Sequence, residues 1–315
     1  MLTFYNEQHS DASRVQPVLS ELGRRGLGQI VTPHGVPLMA LERTHAPRYL
    51  NFLRTAWAEW VAAAPGNAAR PAAATQWPIR SFRTDIEPAS FAARLGLYSM
   101  DAVTPITAST WTAAKTGADC AVNAAHALRV GERASFALTQ PGGHMAGADF
   151  CGGGCYLNNA ALAAQHLLDD GLSRVAILDL DYHHGNGTQG IFYERPDVLC
   201  VSIHADPRHA FPWFSGHADE TGGGAGVGYN VNLPLAPDAT AADWFAALET
   251  ACLRVNMFRA EALVVVMGDG FGLQAGDFLR AGERLSWLGL PTAFMFESGG
   301  PLIVNVLEGF DCAVD

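Results

Sequence analysis

The stretch AILDLDYHHGNGT, residues 176–188, decides which fold this chain can adopt. Its apolar start leads to Asp179, Asp181, His183 and His184, and a flexible Gly-Asn-Gly follows. A buried strand that delivers ligands at its carboxyl end has this pattern. Asp181 and His183 are two positions apart, so both side chains would point to one side and suit a single cation. We interpret the stretch as a metal site, although side chains that only cap a strand end fit the DxHH pattern about equally well.

Apolar runs like the one before Asp179 recur along the chain and predict a parallel sheet. The predicted strands are residues 134–139, 175–178, 198–203, 262–267 and 292–296, with residues 3–5 as a sixth. Helical patterns lie between them, at residues 47–64, 109–130, 158–170, 241–258 and 276–288. Gly131 and Gly171 stand where a glycine commonly ends a helix. This alternation predicts an α/β fold, with a doubly wound parallel sheet and helices on both faces.

The chain of 315 residues contains no segment that resembles a linker, so we expect one domain over residues 1–315. Residues 65–88 form an irregular excursion with low apolar periodicity, which we expect at a pocket rim or an oligomer contact.

Composition excludes several classes of function. The formal net charge of −11 argues against nucleic acid and anionic membranes as partners, because neither would be attracted to an acidic protein. The start of the chain lacks the basic and apolar regions of a signal peptide, and no later run is long enough to span a membrane, so we expect a cytoplasmic protein. The six cysteines include no CxxC pair, which favours reduced, buried thiols over disulfides or a thiolate zinc site.

Polar or glycine residues follow each of the five central strands at once, and these loops should meet at one edge of the sheet. The loops are residues 140–147, 179–188, 204–209, 269–277 and 297–301. In open α/β sheets the ligand crevice lies at the carboxyl ends of the strands. Asp269 would then add a second carboxylate to Asp181 and His183. Two carboxylates, one imidazole and a vacant position describe a catalytic zinc site, with Fe2+ or Co2+ as alternative occupants.

Three motifs are specific enough to compare with a known family. They are GGHMAG at residues 142–147, GGGCYLNNAA at residues 152–161 and ILDLDYHHGNGTQ at residues 177–189. Together they resemble the histone deacetylase and acetylpolyamine amidohydrolase family, and the bacterial acetylpolyamine branch most closely. The resemblance implies an arginase-like fold and a Zn2+ ion held by Asp181, His183 and Asp269. It also implies a structural monovalent cation, K+, near Asp179, Asp181, His183, Ser202 and Ile203.

The reaction that the resemblance implies needs groups that this chain lacks. In the family, metal-bound water attacks an acetyl-amide carbonyl, two adjacent histidines move the protons, and a tyrosine after a double glycine stabilises the oxyanion. This chain keeps His144 as a catalytic residue, which we expect Asp179 to hold, but Met145 replaces the second histidine and cannot exchange a useful proton. Pro301 follows the double glycine, so the tyrosine is also missing. Asp269 fits the family pattern only if one residue before it has been deleted.

The resemblance also indicates the substrate pocket. Gly154 stands where the family has one aromatic wall, Phe211 matches the opposite wall, and Trp213 is placed to refill part of the gap. We expect the pocket to be lined by Met145, Gly153, Gly154, Phe211, Trp213 and Pro301. The candidates to replace the missing groups lie on loops that should face the pocket, and they are His204, His209, His217 and Tyr229.

Three functions are compatible with these residues. The first is a zinc-dependent amidohydrolase, deacetylase-like, with altered or weak catalysis on a small-molecule amide. The second uses the same metal pocket for ester or thioester hydrolysis, elimination or cyclisation. The third is a pseudoenzyme that binds a metal or a ligand without turnover. The resemblance further implies a homodimer, because residues 65–88 resemble the dimer-forming insertion of acetylpolyamine amidohydrolases.

Overall fold

One parallel sheet organises the part of the chain that the computed structural model describes, residues 1–7, 12–81, 83–268 and 270–313. Its strands are β1 (Leu2–Phe4), β2 (Gln29–Val31), β3 (Ala134–Ala137), β4 (Val175–Asp179), β5 (Val198–Ala205), β6 (Asn230–Leu235), β7 (Ala262–Met267) and β8 (Thr292–Phe296). Their spatial order is β2-β1-β3-β8-β7-β4-β5-β6, and every neighbouring pair is parallel. All carboxyl ends of the strands therefore lie along one edge of the sheet.

Helices connect these parallel strands. They are α1 (Ala12–Arg25), α2 (Leu38–Leu41), α3 (Pro47–Ala63), α4 (Phe91–Leu97), α5 (Thr110–Arg129), α6 (Asn159–Asp169), α7 (Asn186–Phe192), α8 (Ala241–Phe258), α9 (Ala275–Ser286) and α10 (Val304–Cys312). Short 3-10 turns occur at Pro65–Ala69, Gly224–Gly226 and Pro301–Ile303. Among the helices so described, none is long and apolar enough to cross a membrane.

Successive residues of the central strands alternate between two hydrophobic layers, one on each face of the sheet. Leu178 and Phe294 belong to a layer that they form with α1, α8, α9 and α10. Ile177 and Ala293 belong to the other layer, which includes small side chains of α5 and α6. Helices thus cover both faces, and the predicted doubly wound α/β fold is confirmed.

The apolar runs predicted the central strands well and the outer strands poorly. Strands β7 and β8 have the predicted bounds, whereas β3, β4 and β5 differ from them by one or two residues at the carboxyl end. The sequence did not predict β2 and β6, which close the two sides of the sheet. Neither strand is a buried apolar run. In β2, Ile30 is 51% exposed, and in β6 two asparagines alternate with apolar residues and are followed by Pro234.

The long helices were predicted to within one or two residues. Helix α8 has the predicted bounds, and Gly131 and Gly171 adopt the positive φ expected of glycines that end a helix, at 110° and 99°. The helices that the sequence did not predict are α1, α2, α4, α7 and α10. Three of these, α2, α4 and α7, have four to seven residues, and α1 carries Pro17 within it, so their patterns are too short or too interrupted to be distinctive.

The described part of the segment 65–88 contains little regular structure beyond the turn Pro65–Ala69 and a bridge between Ala72 and Ile106. Ala72 and Ala74 join a third hydrophobic cluster with side chains of α3 and α5. The segment continues to Trp77 and Arg80, which line a cleft of about 390 Å3.

A buried histidine fixes the loop after β3 to the start of α6. His45 is 1% exposed, its Nδ1–H donates to Gly147 O at 2.9 Å, and its Nε2 accepts the Asn158 N–H at 2.9 Å. One ring nitrogen must donate while the other accepts, which only the neutral imidazole can do. Burial accordingly lowers the pKa of His45 from 6.5 to about 4, against the opposing effect of its bond to Gly147.

This histidine makes stability depend on pH. Between pH 6.5 and 4 the unfolded chain binds a proton at residue 45 and the folded chain does not, so stability rises with pH and is lost as pH falls through this window. We expect His45 to account for a loss of about 3 kcal/mol in the free energy of unfolding across it. Urea denaturation at several pH values should show this loss in the wild type and in the exposed-site control His34→Gln. An equal pH dependence in His45→Gln would contradict the assignment.

Candidate active site at the carboxyl edge of the sheet

The loops after β3, β4 and β8 meet around His144. This side chain is 3% exposed, and its Nδ1 lies 2.8 Å from Oδ2 of Asp179, the last residue of β4. The other oxygen of Asp179 accepts the Asp181 N–H at 3.1 Å. The expected contact between His144 and Asp179 is therefore present, and one buried carboxylate orients both the imidazole and the chain that leads to Asp181.

Glu297 is a buried site residue that sequence reasoning missed. Its carboxylate accepts the backbone N–H groups of Gly143 at 2.8 Å and His144 at 3.1 Å, and the Cys155 thiol at 3.1 Å. Its Oε1 lies 3.8 Å from Nε2 of His144. The only sequence signal was its position directly after β8, where a charged residue follows a buried strand. Glu297 thus joins the end of β8 to the loop that carries His144.

The carboxylates around His144 determine its charge. Burial alone would lower the pKa of His144, but the nearby carboxylates of Glu297 and Asp179 outweigh burial and raise the pKa from 6.5 to about 10. Burial also raises the pKa of Glu297, and the charge of His144 opposes that rise. The buried imidazole and its carboxylates therefore depend on one another for their charged forms.

Asp181 and His183, two of the three predicted metal ligands, are neighbours in the structure. Asp181 is 1% exposed, and its Oδ1 accepts the His183 N–H at 2.9 Å and lies 3.5 Å from His183 Nδ1. Its Oδ2 accepts a hydrogen bond from Ser298 Oγ. Burial would raise the pKa of Asp181, but bonds from His183 and Ser298 and the nearby His144 bring it below the usual value. Asp181 is therefore a carboxylate that can bind a cation.

The third predicted ligand, Asp269, lies outside the described residues. The residue before it, Gly268, is described and lies directly against Asp181. A Cβ atom at Gly268 would lie only 2.0 Å from Asp181 Oδ2 and 2.8 Å from Ser298 Oγ. The end of β7 is thus packed onto the Asp181 carboxylate, and only glycine leaves room for this contact.

The residues predicted for a monovalent cation lie on β4, on β5 and on the loop after β4. Asp179 pairs with Ser202 across the two strands, and Ile203 follows Ser202. A cavity of about 10 Å3 is bordered by Asp179, Ser202 and Thr188, among other residues. Its size is near that of one water-sized occupant.

The structure corrects two of the proposed substitutes for the missing catalytic groups. Both ring nitrogens of His204 are already bonded, to Ser202 Oγ at 2.7 Å and to Gly216 O at 2.8 Å. Tyr229 precedes β6, at the amino edge of the sheet, and its ring packs against Phe258. Both ring nitrogens of His204 are thus occupied, and Tyr229 lies at the opposite edge of the sheet from His144. The unpredicted strand β6 explains the error for Tyr229, because it turns this residue away from the carboxyl edge.

An aromatic cleft of about 390 Å3 opens beside the site. Two predicted pocket residues, Phe211 and Trp213, line it with their rings edge to face at 5.0 Å. Its other walls include Trp77, Phe150 and Phe214, with Arg80, Asp101 and Asn186 as polar members. The cleft therefore offers flat apolar surface with few charged groups.

The four remaining predicted pocket residues are not among the described residues that line this cleft. Met145 is buried against Cys155, Met100 and Phe211. A Cβ atom at Gly153 would lie 2.0 Å from Met145 Sδ, so Gly153 is in contact with the methionine.

Two further predicted pocket residues are less enclosed. Gly154 has open space where a side chain would project, and its N–H donates to Thr104 Oγ1 at 2.9 Å. Pro301 is exposed and begins the turn Pro301–Ile303, beyond the Ser298 that contacts Asp181. The loop after β8 thus places a serine, and not Pro301, against the predicted ligand Asp181.

Comparison with known proteins assigns the family. A model of the histone deacetylase domain matches residues 8–283. Acetylpolyamine amidohydrolase 1 of Pseudomonas aeruginosa is 45% identical over 96% of this chain and 91% of its own, and acetylpolyamine amidohydrolase 2 of the same organism is 42% identical over 99% of both. The crystal structure of acetylpolyamine aminohydrolase from Burkholderia pseudomallei has a TM-score of 0.91 and 32% identity, covering 99% of this chain and 98% of that chain. This chain belongs to the histone deacetylase and acetylpolyamine amidohydrolase family. Members of this family hydrolyse amides, and membership of it suggests that this chain binds a divalent metal.

The contact between Gly268 and Asp181 can be tested by adding one methyl group. We expect Gly268→Ala to lower the free energy of unfolding by about 1–3 kcal/mol, because the new Cβ would overlap Asp181 Oδ2. Gly276→Ala is the matched control, since a Cβ in that helix meets no neighbour within 4 Å. Chemical denaturation measures both. A Gly268→Ala variant as stable as the control would show that β7 does not press on Asp181.

Proposed function

We propose that this chain is a zinc-dependent amidohydrolase that removes an acyl group from a small amine, with weaker or altered catalysis than relatives that keep both histidines and the tyrosine. The observation that carries the proposal is the buried His144–Asp179 pair beside Asp181 and His183. Membership of an amide-hydrolysing family supports the reaction class. A protein that used the fold only as a scaffold would have no need for this buried, charged arrangement.

The donor groups present fit a divalent metal. Asp181 is a carboxylate whose oxygen lies 3.5 Å from an imidazole nitrogen of His183, a separation that suits two ligands of one ion. We propose Asp269 as the third ligand, with Zn2+ as the native ion and Fe2+ or Co2+ as ions the same donors accept. When bound, such an ion polarises an amide carbonyl and lowers the pKa of a water molecule.

The residues of the chain then supply orientation and proton transfer. Asp179 fixes the His144 ring through Nδ1 and, with Glu297, raises its pKa, so that without a metal Nε2 holds a proton that it can give to the leaving amine. The positive charge of a divalent ion at Asp181 would oppose the charge of the imidazolium and lower this pKa, so that Nε2 could also take a proton from the attacking water. Glu297 fixes the backbone on both sides of this histidine and faces its Nε2. A single imidazole must therefore perform both transfers.

The missing groups set the expected loss of rate. General acid–base catalysis contributes roughly 10² to 10⁴ in rate, and one oxyanion donor about 10² to 10³, although the two effects do not simply multiply. Substrates with a better leaving group depend less on protonation of that group. This favours, as a second candidate, ester or thioester hydrolysis in the same pocket.

Two observations favour a compact substrate over a long polyamine. Glu87, which could recognise a distant ammonium group, already accepts the Tyr98 hydroxyl at 2.8 Å and pairs with Arg94. Asp101 at the cleft uses both carboxylate oxygens on backbone N–H groups of Gly153 and Val103. We propose a small acylated amine whose apolar part lies on the cleft aromatics.

Several further features belong to this proposal. A K+ ion would occupy the space between Asp179 and Ser202, where buried oxygen atoms are available. The chain would act as a homodimer on a small molecule, without nucleic acid or membrane as a partner.

Restoring the missing histidine should restore part of the activity. We expect Met145→His to raise kcat/KM on acetyl-lysine and acetylpolyamine reporters by about 10²-fold, because a second imidazole can share the proton transfers. Met145→Gln is the matched control, similar in size but unable to transfer a proton at neutral pH. Zinc-loaded proteins are compared under identical conditions. Equal activity in the two variants would show that proton transfer at position 145 does not limit the reaction.

The metal assignment predicts a specific loss. Asp181→Asn keeps the shape of the side chain but removes its charge, so we expect one equivalent of bound Zn2+ per chain to disappear. The exposed Asp219→Asn variant should keep it. Metal content is measured on protein equilibrated with Zn2+ and freed of excess. Unchanged zinc in Asp181→Asn would remove Asp181 from the metal site.

A further inference from the structure

A second group of metal-binding side chains lies far from the pocket, where α5 and α6 end. His126 comes from the last turn of α5, His166 from the last turn of α6, and Asp170 follows α6 directly. Each helix precedes a strand of the parallel sheet, so both helices end at its amino edge. The cluster is therefore on the opposite edge of the sheet from His144.

The geometry of this cluster suits one small ion. His126 Nδ1 lies 3.6 Å from Asp170 Oδ2, and His166 Nε2 lies 3.5 Å from the same oxygen. One ligand atom from each of the three residues lies within 4.8 Å of the other two. A tetrahedral zinc ion with bonds of about 2.0–2.1 Å separates its ligands by about 3.3–3.5 Å. The two distances to Asp170 Oδ2 already have nearly this length. Small side-chain rotations would shorten the distance between the two histidine nitrogens.

Helical spacing explains why the sequence brings these side chains together. His166 and Asp170 are four positions apart and share one face of α6. The ring of His126 approaches from α5, with its centroid 5.6 Å from that of His166. An ion bound here would join the ends of two helices that pack side by side.

The nitrogen of His166 that faces the cluster has no other bonding partner among the described residues. Within the described part of the chain, the buried His166 Nε2 neither donates nor accepts a hydrogen bond. Arg129 does not compete for the ligand, because its guanidinium donates to the main-chain oxygen of Asp170.

We propose that His126, His166 and Asp170 bind one divalent transition-metal ion, of the class of Zn2+, Ni2+ or Cu2+, independently of the site at Asp181. Two imidazoles and one carboxylate are the donors that these ions prefer. The exposed side of His126 leaves a coordination position open to water. Since the ion binds only when both helices are in place, it stabilises the folded chain.

The test uses Zn2+ alone on the full chain, first stripped with a chelator. Zinc content per chain is measured after equilibration at neutral pH for the wild type, His126→Ala, His166→Ala and Asp170→Asn. The exposed His34→Ala variant is the control for loss of an unrelated histidine. We expect each cluster variant to lose one equivalent and His34→Ala to lose none. Equal zinc content in wild type and all three cluster variants would overturn the proposal.

A second measurement separates this site from the one at Asp181. In the Asp181→Asn background, Zn2+ should still raise the midpoint of thermal unfolding, and adding His166→Ala should abolish that rise. Far-UV circular dichroism checks that the double variant is folded. A rise that persists in the folded double variant would assign the stabilising ion elsewhere and contradict the proposal. If Asp181 does not bind zinc, the result is different: the Asp181→Asn substitution leaves the zinc content per chain unchanged.

Discussion

The buried ion network around His144 is the constraint on which the active edge depends. One imidazole lies between Asp179 at the end of β4 and Glu297 at the end of β8, and Glu297 also holds the backbone of the loop after β3. Buried charges are tolerated only when paired and hydrogen-bonded, so each of these groups needs the others. Three strand ends are thereby held in one arrangement, and Asp181 is positioned by the same network through Asp179.

The sequence predicted what local patterns determine. Continuous apolar runs identified the central strands, and the two-residue spacing of Asp181 and His183 correctly placed them side by side. The exposed or interrupted strands β2 and β6 gave no such signal. Glu297 could not be recognised because its role comes from contacts with Gly143, 154 positions away in the chain. The misplacement of Tyr229 has the same origin, since only the pairing of β6 with β5 shows which edge it occupies.

Met145, which we propose stands in place of a second histidine, determines the surroundings of His144 on one side. Its apolar side chain packs against Gly153, Met100 and Phe211, between the buried network and the aromatic cleft. The pocket beside His144 is therefore apolar at this position. Asp181, His183 and the carboxylate of Asp179 that orients His144 lie together, and on this basis we propose a retained metal centre with an altered proton-transfer apparatus. The cluster at the amino edge shares no residue with this network.

Anomalous X-ray diffraction at the zinc absorption edge, from crystals of the zinc-loaded protein, tests this account most directly. The account predicts a peak about 2.0–2.2 Å from an Asp181 oxygen and a His183 nitrogen, with Asp269 as a further ligand and the Met145 side chain outside the coordination sphere. A fully zinc-loaded crystal with no peak between Asp181 and His183 would contradict it, because the retained centre would then not be a metal site.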